Sequence, residues 1–227
     1  MQRFFDIFFS GMALVLLSPL LLPLMFILRV TGEGEIFFPQ SRVGRGGKHF
    51  KLYKFATMLK NSPNMGTGTV TVKNDPRVLP MGGFLRKTKI NELPQLINIF
   101  KGDMSVIGPR PQTQRCFDTF PESAQNDITK VSPGLSGIGS VVFRSEEDMM
   151  HANADPVRLY DDVIMPYKGK LESWYVRNNS VWNYLLLISL TILVILTRST
   201  RLIFQCYTSL PRPPADLSSF IASDYYE

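Results

Sequence analysis

The densest group of chemically active residues lies between residues 82 and 112. Arg86 and Lys89 precede Asn91 and Glu92, so two cations, a carboxamide and a carboxylate fall within one short stretch. Neighbouring cations bind phosphate well, and here they converge with a carboxylate within thirty residues. The segment therefore predicts a phosphate-binding site.

A helix is expected to position this group. Residues 85–100 carry apolar side chains at helical spacing, at Leu93, Leu96, Ile97 and Phe100. Pro94 fits only in a first turn, so we expect the helix to begin near Asn91, which would cap it. The positive end of the helix would then lie beside Glu92 and would favour phosphate binding.

Two further basic segments are candidates for anion binding. Arg110 lies between two prolines, on a stiff backbone that suits bidentate phosphate contacts, although a lone arginine there is more often structural. The loop 42–48 is rich in glycine and cations and joins two predicted strands, at 36–38 and 50–55. It does not match a Walker A motif, and a solvated hairpin turn remains the alternative.

The first apolar segment is long enough to enter a membrane. Residues 7–28 contain no charge, and as a straight helix they would reach roughly 33 Å. Pro19 removes a backbone donor, so we expect a bend near Ser18 and Pro19. Hydropathy favours a kinked span, whereas the cations at both ends, Arg3 and Arg29, make a re-entrant hairpin satisfy the positive-inside rule better, so the two are about equally favoured. A signal peptide is disfavoured, because no small-residue cleavage site follows.

The second apolar segment, residues 181–196, is short for a span. Aromatic residues cluster at its start, as they do at membrane interfaces. An interfacial helix, a core helix and a tilted span all remain open for this segment.

Composition and charge restrict the remaining classes. The 227 residues include two cysteines and two histidines, which excludes a disulfide scaffold and a histidine-rich metal centre. Residues 1–115 hold 16 Lys and Arg against 6 Asp and Glu, which predicts an anionic partner. The cations are interleaved with glycine and proline loops beside a membrane segment, rather than with a recognition helix or stacking aromatics, so a nucleic-acid partner is disfavoured.

Four ordered blocks resemble the small monotopic phosphoglycosyl transferases, a family of bacterial sugar transferases. The blocks are FFPQSRVGRGGKHFKLYKFATM (37–58), NDPRVLPMGGFLRKTKINELPQLINIFKGDMSVIGPRP (74–111), SPGLSGIGSVVFR (132–144) and WYVRNNSVWNYLLLISLTI (174–192). The resemblance extends over nearly all of residues 3–197. Blocks of this length in this order are highly specific.

The resemblance implies an α+β fold with three parts. A re-entrant membrane helix with a Ser18-Pro19 break would occupy residues 1–32. A compact, mostly helical cytosolic catalytic domain with a small β-hairpin and interfacial amphipathic helices would occupy 33–200, and a flexible tail 201–227. The expected location is the cytoplasmic face of the bacterial inner membrane, in contact with its lipids, with a homodimer as a further expectation.

The resemblance also implies the reaction and its residues. A sugar 1-phosphate would pass from a UDP-sugar to undecaprenyl phosphate with Mg²⁺ as cofactor, releasing UMP and starting exopolysaccharide, capsule or O-antigen synthesis. Phosphate binding would fall to five cations, with the last two as weaker candidates: Arg86, Arg110, Arg144, Lys54 and Arg42. Catalysis and metal binding would fall to Asn91 and Glu92.

One departure from the family pattern bears on activity. The family pair is Asp-Glu, whereas this chain has Asn91-Glu92, and a carboxamide is a poor nucleophile and a poorer Mg²⁺ ligand. Three explanations follow: a natural variant in which Glu92 takes the role, an inactivated form, or a paralogue that binds substrate without turnover. Ala56 and Asn183 also replace charged residues usual in the family.

Overall fold

The chain combines many short helices with two small sheets. The structure is a computed structural model that describes residues 1–65, 75–144, 146–151, 155, 158–197 and 199–221. An α+β class that is mostly helical is therefore confirmed for this part of the chain. By packing it forms two compact units, a larger one of Met1–Phe5, Arg42–Phe50 and Gly102–Glu227 and a smaller one of Asp6–Ser41 and Lys51–Lys101.

The regular elements have the following bounds. The strands are β1 Phe37–Val43, β2 His49–Phe55, β3 Ser105–Ile107 and β4 Gly134–Ser136. The first seven helices are α1 Gln2–Val30, α2 Gly82–Lys87, α3 Gln95–Lys101, α4 Gln114–Asp118, α5 Glu122–Ile128, α6 Ile138–Val142 and α7 Glu146–His151. A π-helical segment, Leu159–Ile164, leads into α8 Met165–Arg177, which is followed by α9 Val181–Thr197, α10 Arg201–Cys206 and α11 Ala215–Ile221.

Helix α1 runs without interruption from Gln2 to Val30 and contains Pro19 and Pro23. In the described residues it is the one helix long and apolar enough to cross a membrane, and only 17% of its most apolar window is buried. Ser18 Oγ donates a hydrogen bond to the carbonyl of Val15 at 2.7 Å, which gives that polar side chain a partner within the helix. The re-entrant path stays a prediction.

The core of the smaller unit forms where α1 meets the hairpin. Leu24 and Leu28 of α1 are buried against Phe55 and Leu85, and Phe37 stacks on Phe55 with ring centroids 5.7 Å apart. The predicted strands are confirmed in a somewhat longer form, as β1 and β2 pair into a two-stranded sheet. Burial of these side chains thus fixes β2 against α1 and α2.

The predicted helix over 85–100 is wrong in its continuity. Lys89 has φ of 60°, in the left-handed region that a helix interior excludes. The chain therefore forms α2, a 3₁₀ turn at Ile90–Glu92, and then α3, which begins at Gln95 rather than near Asn91. With seven residues, α3 is too short to provide the strong positive end expected beside Glu92.

A buried ion pair organises the chain on either side of residues 66–74. Arg77 donates from Nη2 and Nε to the Asp75 carboxylate, at 2.5 and 2.8 Å. Its Nη1 donates to the carbonyls of Ser62 and Met65, at 2.8 and 2.7 Å. Residues 61–76 are polar and rich in glycine and threonine, which predicts a mobile surface loop from the sequence, and 66–74 of this stretch lie outside the described residues.

In the larger unit, β3 and β4 pair in parallel, with Ser105 opposite Gly134 and Ile107 opposite Ser136. The backbones that flank the pair approach so closely that only glycine fits. A Cβ added at Gly134 would lie 2.1 Å from the Gly108 nitrogen, and one at Gly137 would lie 2.1 Å from the Gly108 oxygen. At this point two of the sequence blocks, 74–111 and 132–144, therefore contact each other backbone to backbone.

Helix α9 buries one face, and some of its other apolar side chains are exposed. Tyr184, Leu187 and Leu190 are 4% exposed or less, whereas Ile195 and Leu196 are 58% and 75% exposed. Of the three interpretations of this segment, the core helix describes its buried face, and the exposed apolar side chains leave membrane contact open.

The C-terminal segment, expected to be a flexible tail from residue 201, contains helices α10 and α11 in its described part. Ile203 and Leu217 are fully buried, and the Tyr207 ring packs edge-on against Trp174 with centroids 4.9 Å apart. Tyr167 Oη donates to the carbonyl of Pro211 at 2.8 Å. The structure thus differs from the expectation of flexibility over residues 201–221, because these apolar side chains find partners in the larger unit.

We expect Gly137→Ala to destabilise the protein by about 1–3 kcal/mol, because its new methyl group would overlap the Gly108 carbonyl. Gly83→Ala is the matched control, since Gly83 lies in α2 with open space around it and alanine favours the helix. Thermal unfolding in detergent compares the two variants. Equal melting temperatures for Gly137→Ala and wild type would contradict the close packing.

An ion-pair cluster joins α5 to α8 and predicts acid sensitivity. Asp127 accepts from Lys130 at 2.6 Å and from Arg177 at 2.9 Å, and these contacts hold the Asp127 pKa below its usual value, with the Lys130 hydrogen bond as the largest cause. A lowered carboxylate pKa stabilises the fold above the unfolded value near 3.8 and loses that effect as the pH falls through the folded pKa. Asp127→Asn should therefore lower the melting temperature at pH 7 and converge with wild type once the pH has fallen below the folded pKa of Asp127. The exposed Glu122→Gln should show no such gap, and a constant Asp127→Asn deficit at every pH would refute the linkage.

Candidate active site

The carboxylate of Glu92 and the ammonium of Lys54 form the centre of the candidate site in the smaller unit. Lys54 Nζ lies 3.1 Å from Glu92 Oε1, and both side chains are about one-fifth exposed. The 3₁₀ turn at Ile90–Glu92 carries the carboxylate, and β2 carries the ammonium. The structure thus brings together two of the predicted site residues, 38 positions apart in the chain.

Asn91 contributes a buried oxygen to the same turn. Its Oδ1 atom is buried and has no hydrogen-bond partner among the described residues. Burying an unpaired carbonyl oxygen costs about 1–3 kcal/mol. A buried polar atom without a partner is typical of a ligand-binding position. Asn91 Oδ1, on the residue before Glu92, is therefore a candidate ligand atom for a metal ion.

Arg86 belongs to the smaller unit as well. It lies in the last turn of α2, and its Nη1 is 3.4 Å from the sulfur of Met58. A thioether is a weak acceptor, so this contact is weaker than one to a carboxylate or carbonyl oxygen. Only Lys89, in its left-handed conformation, and one further residue separate α2 from the turn that carries Asn91.

Asn98 in α3 holds β2, the strand that carries Lys54, against the helix that follows the turn carrying Glu92. Its Oδ1 accepts from the Tyr53 backbone N–H at 2.9 Å, and its Nδ2 donates to the Lys51 carbonyl at 2.8 Å. The residue is fully buried in α3. The role of Asn98 was not predicted from the sequence. The signal that could have indicated it is an amide side chain on the face of α3 that Leu96 and Ile99 mark as buried.

The remaining predicted residues lie in the larger unit. Arg110 is exposed in the loop after β3, Arg144 follows α6, and Arg42 is half-buried near the end of β1. The Arg144 guanidinium donates to the carbonyl of Val194 in α9. A small cavity borders Arg110 and is lined also by Gly44, Thr129 and Pro133, with an empty volume of about 260 Å³ that includes open solvent.

A buried charged group in the larger unit was not expected from the sequence. Glu172 and Lys168, one turn apart on α8, are 3% and 5% exposed. Burial raises the pKa of Glu172 to about 8 and lowers the pKa of Lys168. Lys168 Nζ pairs with Glu146 Oε1 at 2.6 Å and lies 4.9 Å from the centroid of the Phe143 ring. The excess of acidic residues over 116–175 predicts a solvated helical face from the sequence, and this prediction is wrong for Glu172, whose side chain is buried.

Asn98→Leu should destabilise the protein by about 1–3 kcal/mol, because it leaves the Tyr53 N–H and the Lys51 carbonyl without the fully buried side chain that pairs with them. Asn126→Leu, on the exposed face of α5, is the control and should change stability by less than about 0.5 kcal/mol. Unfolding by denaturant in mild detergent measures both. An Asn98→Leu variant as stable as the control would show that the amide bonds do not hold β2 on α3.

Comparison with known proteins identifies relatives over most of the chain. One is a UDP-N-acetylgalactosamine-undecaprenyl-phosphate N-acetylgalactosaminephosphotransferase of Aeromonas hydrophila, 35% identical over 86% of this chain and 44% of its own. Another is an undecaprenyl-phosphate galactose phosphotransferase of Salmonella typhimurium, 34% identical over 87% of this chain and 41% of its own. This chain thus spans less than half the length of these two relatives.

A shorter relative gives fuller coverage of its own length. A putative undecaprenyl-phosphate N-acetylgalactosaminyl 1-phosphate transferase of Bacillus subtilis is 41% identical over 56% of this chain and 68% of its own. The family model described as bacterial sugar transferase matches residues 1–198, which include α1, both sheets and the Lys54–Glu92 pair. The resemblance seen in the four blocks is confirmed, and this chain belongs to the bacterial sugar transferase family.

Proposed function

We propose that this chain transfers a sugar 1-phosphate from a UDP-sugar to undecaprenyl phosphate, with release of UMP, as a first step of exopolysaccharide, capsule or O-antigen synthesis. The observation that carries the proposal is the Lys54–Glu92 pair at 3.1 Å beside the unpaired Asn91 oxygen, in a chain of this family. The names of its relatives, which include undecaprenyl-phosphate phosphotransferases, support the choice of substrates.

Glu92 is the proposed nucleophile. One of its oxygens attacks the β-phosphorus of the UDP-sugar, the bond from that phosphorus to the bridging oxygen breaks, and UMP leaves with the electron pair. An oxygen of undecaprenyl phosphate then attacks the same phosphorus and displaces Glu92. The lipid diphosphate sugar departs, and the carboxylate is restored without any net gain or loss of protons on the protein.

Lys54 orients this nucleophile and supplies positive charge beside it. Its ammonium holds Glu92 Oε1 in the ground state, and a bound diphosphate would compete for the same donor groups. Arg86 is the second proposed phosphate ligand of the smaller unit. Arg110, Arg144 and Arg42 are the proposed phosphate ligands of the larger unit, with Arg42 the weakest because it is half-buried.

The residues of the turn fit a magnesium ion in part. Mg²⁺ prefers oxygen ligands and usually keeps several waters and substrate phosphates, so few protein ligands suffice. Glu92 and the buried Asn91 Oδ1 would hold it, and no group of three His, Cys, Asp or Glu side chains in the described residues offers an alternative. When bound, the ion would neutralise charge on the diphosphate.

Attachment to the inner membrane at its cytoplasmic face is part of the proposal. The mostly exposed apolar side chains of α1 support it, and the exposed Ile195 and Leu196 of α9 support a second contact with lipid. We further propose that α1 is re-entrant with its break at Ser18 and Pro19, and that two copies of the chain associate.

Asn91 favours a second candidate function. A chain that retains the phosphate ligands but lacks the usual aspartate would bind a UDP-sugar in the membrane without turning it over. It would then act in assembly of the glycan machinery rather than in catalysis.

UMP release from a panel of UDP-sugars, with undecaprenyl phosphate and Mg²⁺, separates the two functions. We expect wild-type release to require both substrates, and Glu92→Gln to lower the rate by on the order of 10³-fold, because the nucleophile is lost. Asn91→Asp should raise the rate, since a second carboxylate binds Mg²⁺ more strongly. Glu122→Gln, a surface carboxylate on α5, should leave it unchanged.

Three other results would revise the proposal. Release only from Asn91→Asp, with UDP-sugar binding to the wild type, would establish the binding function. Wild-type activity that survives Glu92→Gln would remove Glu92 as nucleophile. A wild type that neither binds nor consumes any UDP-sugar would overturn both functions.

A further inference from the structure

The loop that carries Arg110 rests on a buried carboxyl group. Glu172 of α8 is 3% exposed, and its carboxyl group accepts hydrogen bonds from the backbone N–H groups of Arg110 and Gly139. A Cβ added at Gly139 would lie 2.4 Å from Glu172 Oε1, which shows how closely the chain approaches this oxygen. A single side chain therefore joins α8 to the loop after β3 and to the first turn of α6.

The loop presents its arginine outward from a rigid base. Pro109 and Pro111 are buried on either side of the exposed Arg110. Gly134 donates its N–H to the Pro109 carbonyl at 2.8 Å, and Gly108 donates to the Ser136 carbonyl at 2.9 Å. The bonds to β4 hold the residues before Arg110, and Glu172 holds the arginine's own backbone.

The surroundings of Glu172 suit an acceptor more than a permanent charge. Lys168, one turn before it, is paired with Glu146 at 2.6 Å and flanked by the Phe143 and Tyr160 rings. Oε2 of Glu172 is buried without a hydrogen-bond partner in the described residues. A buried carboxylate with one unpaired oxygen is costly, so a neutral carboxyl group is favoured near neutral pH.

We propose that Glu172 is a positioning residue for phosphate binding: by accepting the Arg110 and Gly139 N–H groups, it fixes the backbone from which the Arg110 guanidinium reaches the substrate phosphate. The inference rests on the proposed function for the role of Arg110. The anchoring of the loop by Glu172 can be tested without it.

Two substitutions at Glu172 separate the acceptor from the charge. Glu172→Gln keeps an acceptor oxygen and reproduces the neutral form, whereas Glu172→Met keeps the length of the side chain and removes both acceptors. Amide hydrogen exchange over residues 108–112 and 137–140 should be faster in Glu172→Met than in wild type, with Glu172→Gln close to wild type. Gly139→Ala, whose methyl group would displace the carboxyl group while leaving it in the chain, should show the same fast exchange.

A double-mutant cycle with Arg110→Ala tests whether Glu172 acts through Arg110. We expect Glu172→Met to raise KM for the UDP-sugar about tenfold, with little change in kcat. A tenfold change corresponds to the loss of about one hydrogen bond to a charged group. In the Arg110→Ala background the same substitution should change KM less than about twofold, because the residue it positions is already absent.

Each alternative result counts against the inference. Unchanged exchange at residues 108–112 in both Glu172→Met and Gly139→Ala would show that the carboxyl group does not anchor the loop. If the KM effects of Glu172→Met and Arg110→Ala multiply in the double variant, Glu172→Met acts through a general loss of structure. If Glu172→Gln is as impaired as Glu172→Met, the charge of Glu172 matters rather than its acceptor oxygen. If the wild type neither binds nor consumes a UDP-sugar, the proposed function fails, as does the phosphate role of Arg110, while hydrogen exchange still decides the anchoring.

Discussion

The ion pair between Lys54 and Glu92 is the interaction on which the candidate site depends. It joins a strand to a one-turn 3₁₀ segment, and neither element would hold its charged side chain in place alone. At about one-fifth exposure the pair is only partly screened by water, so its geometry is better defined than that of a surface pair. A carboxylate held in this way is accessible to substrate and restrained in orientation, which favours attack at phosphorus.

Buried polar groups maintain the framework around each charged candidate. Asn98 bonds to the backbone of β2 in the smaller unit, and Glu172 bonds to the backbone of the Arg110 loop in the larger one. In the smaller unit the side chain accepts from the main-chain N–H next to Lys54, and in the larger one from the main-chain N–H of Arg110 itself. Burial makes such bonds costly to break, because the groups left behind lack water as a substitute partner.

The sequence predicted the parts of the fold whose signals are local. The glycine-rich loop 42–48 between two apolar segments was sufficient for the β1–β2 hairpin, and the charge-free stretch 7–28 for the long helix α1. The break at Lys89 could not be predicted, since nothing about a lysine marks it for the left-handed region. Asn98 and Glu172 were missed because their partners, in β2 and in the Arg110 loop, are set by tertiary packing. The charged candidates themselves were recognised by residue type and by resemblance, and the pairing of Lys54 with Glu92 required the structure.

The proposed role of Glu92 as nucleophile in the presence of Asn91 is the central claim. Mass spectrometry of the wild-type protein, quenched after incubation with a UDP-sugar and Mg²⁺ but without lipid acceptor, tests it most directly. We expect a peptide that is heavier by one sugar phosphate and carries the modification on Glu92. This adduct should disappear when undecaprenyl phosphate is added before quenching. A phosphosugar adduct on any other residue, or turnover with no adduct on Glu92, would contradict it.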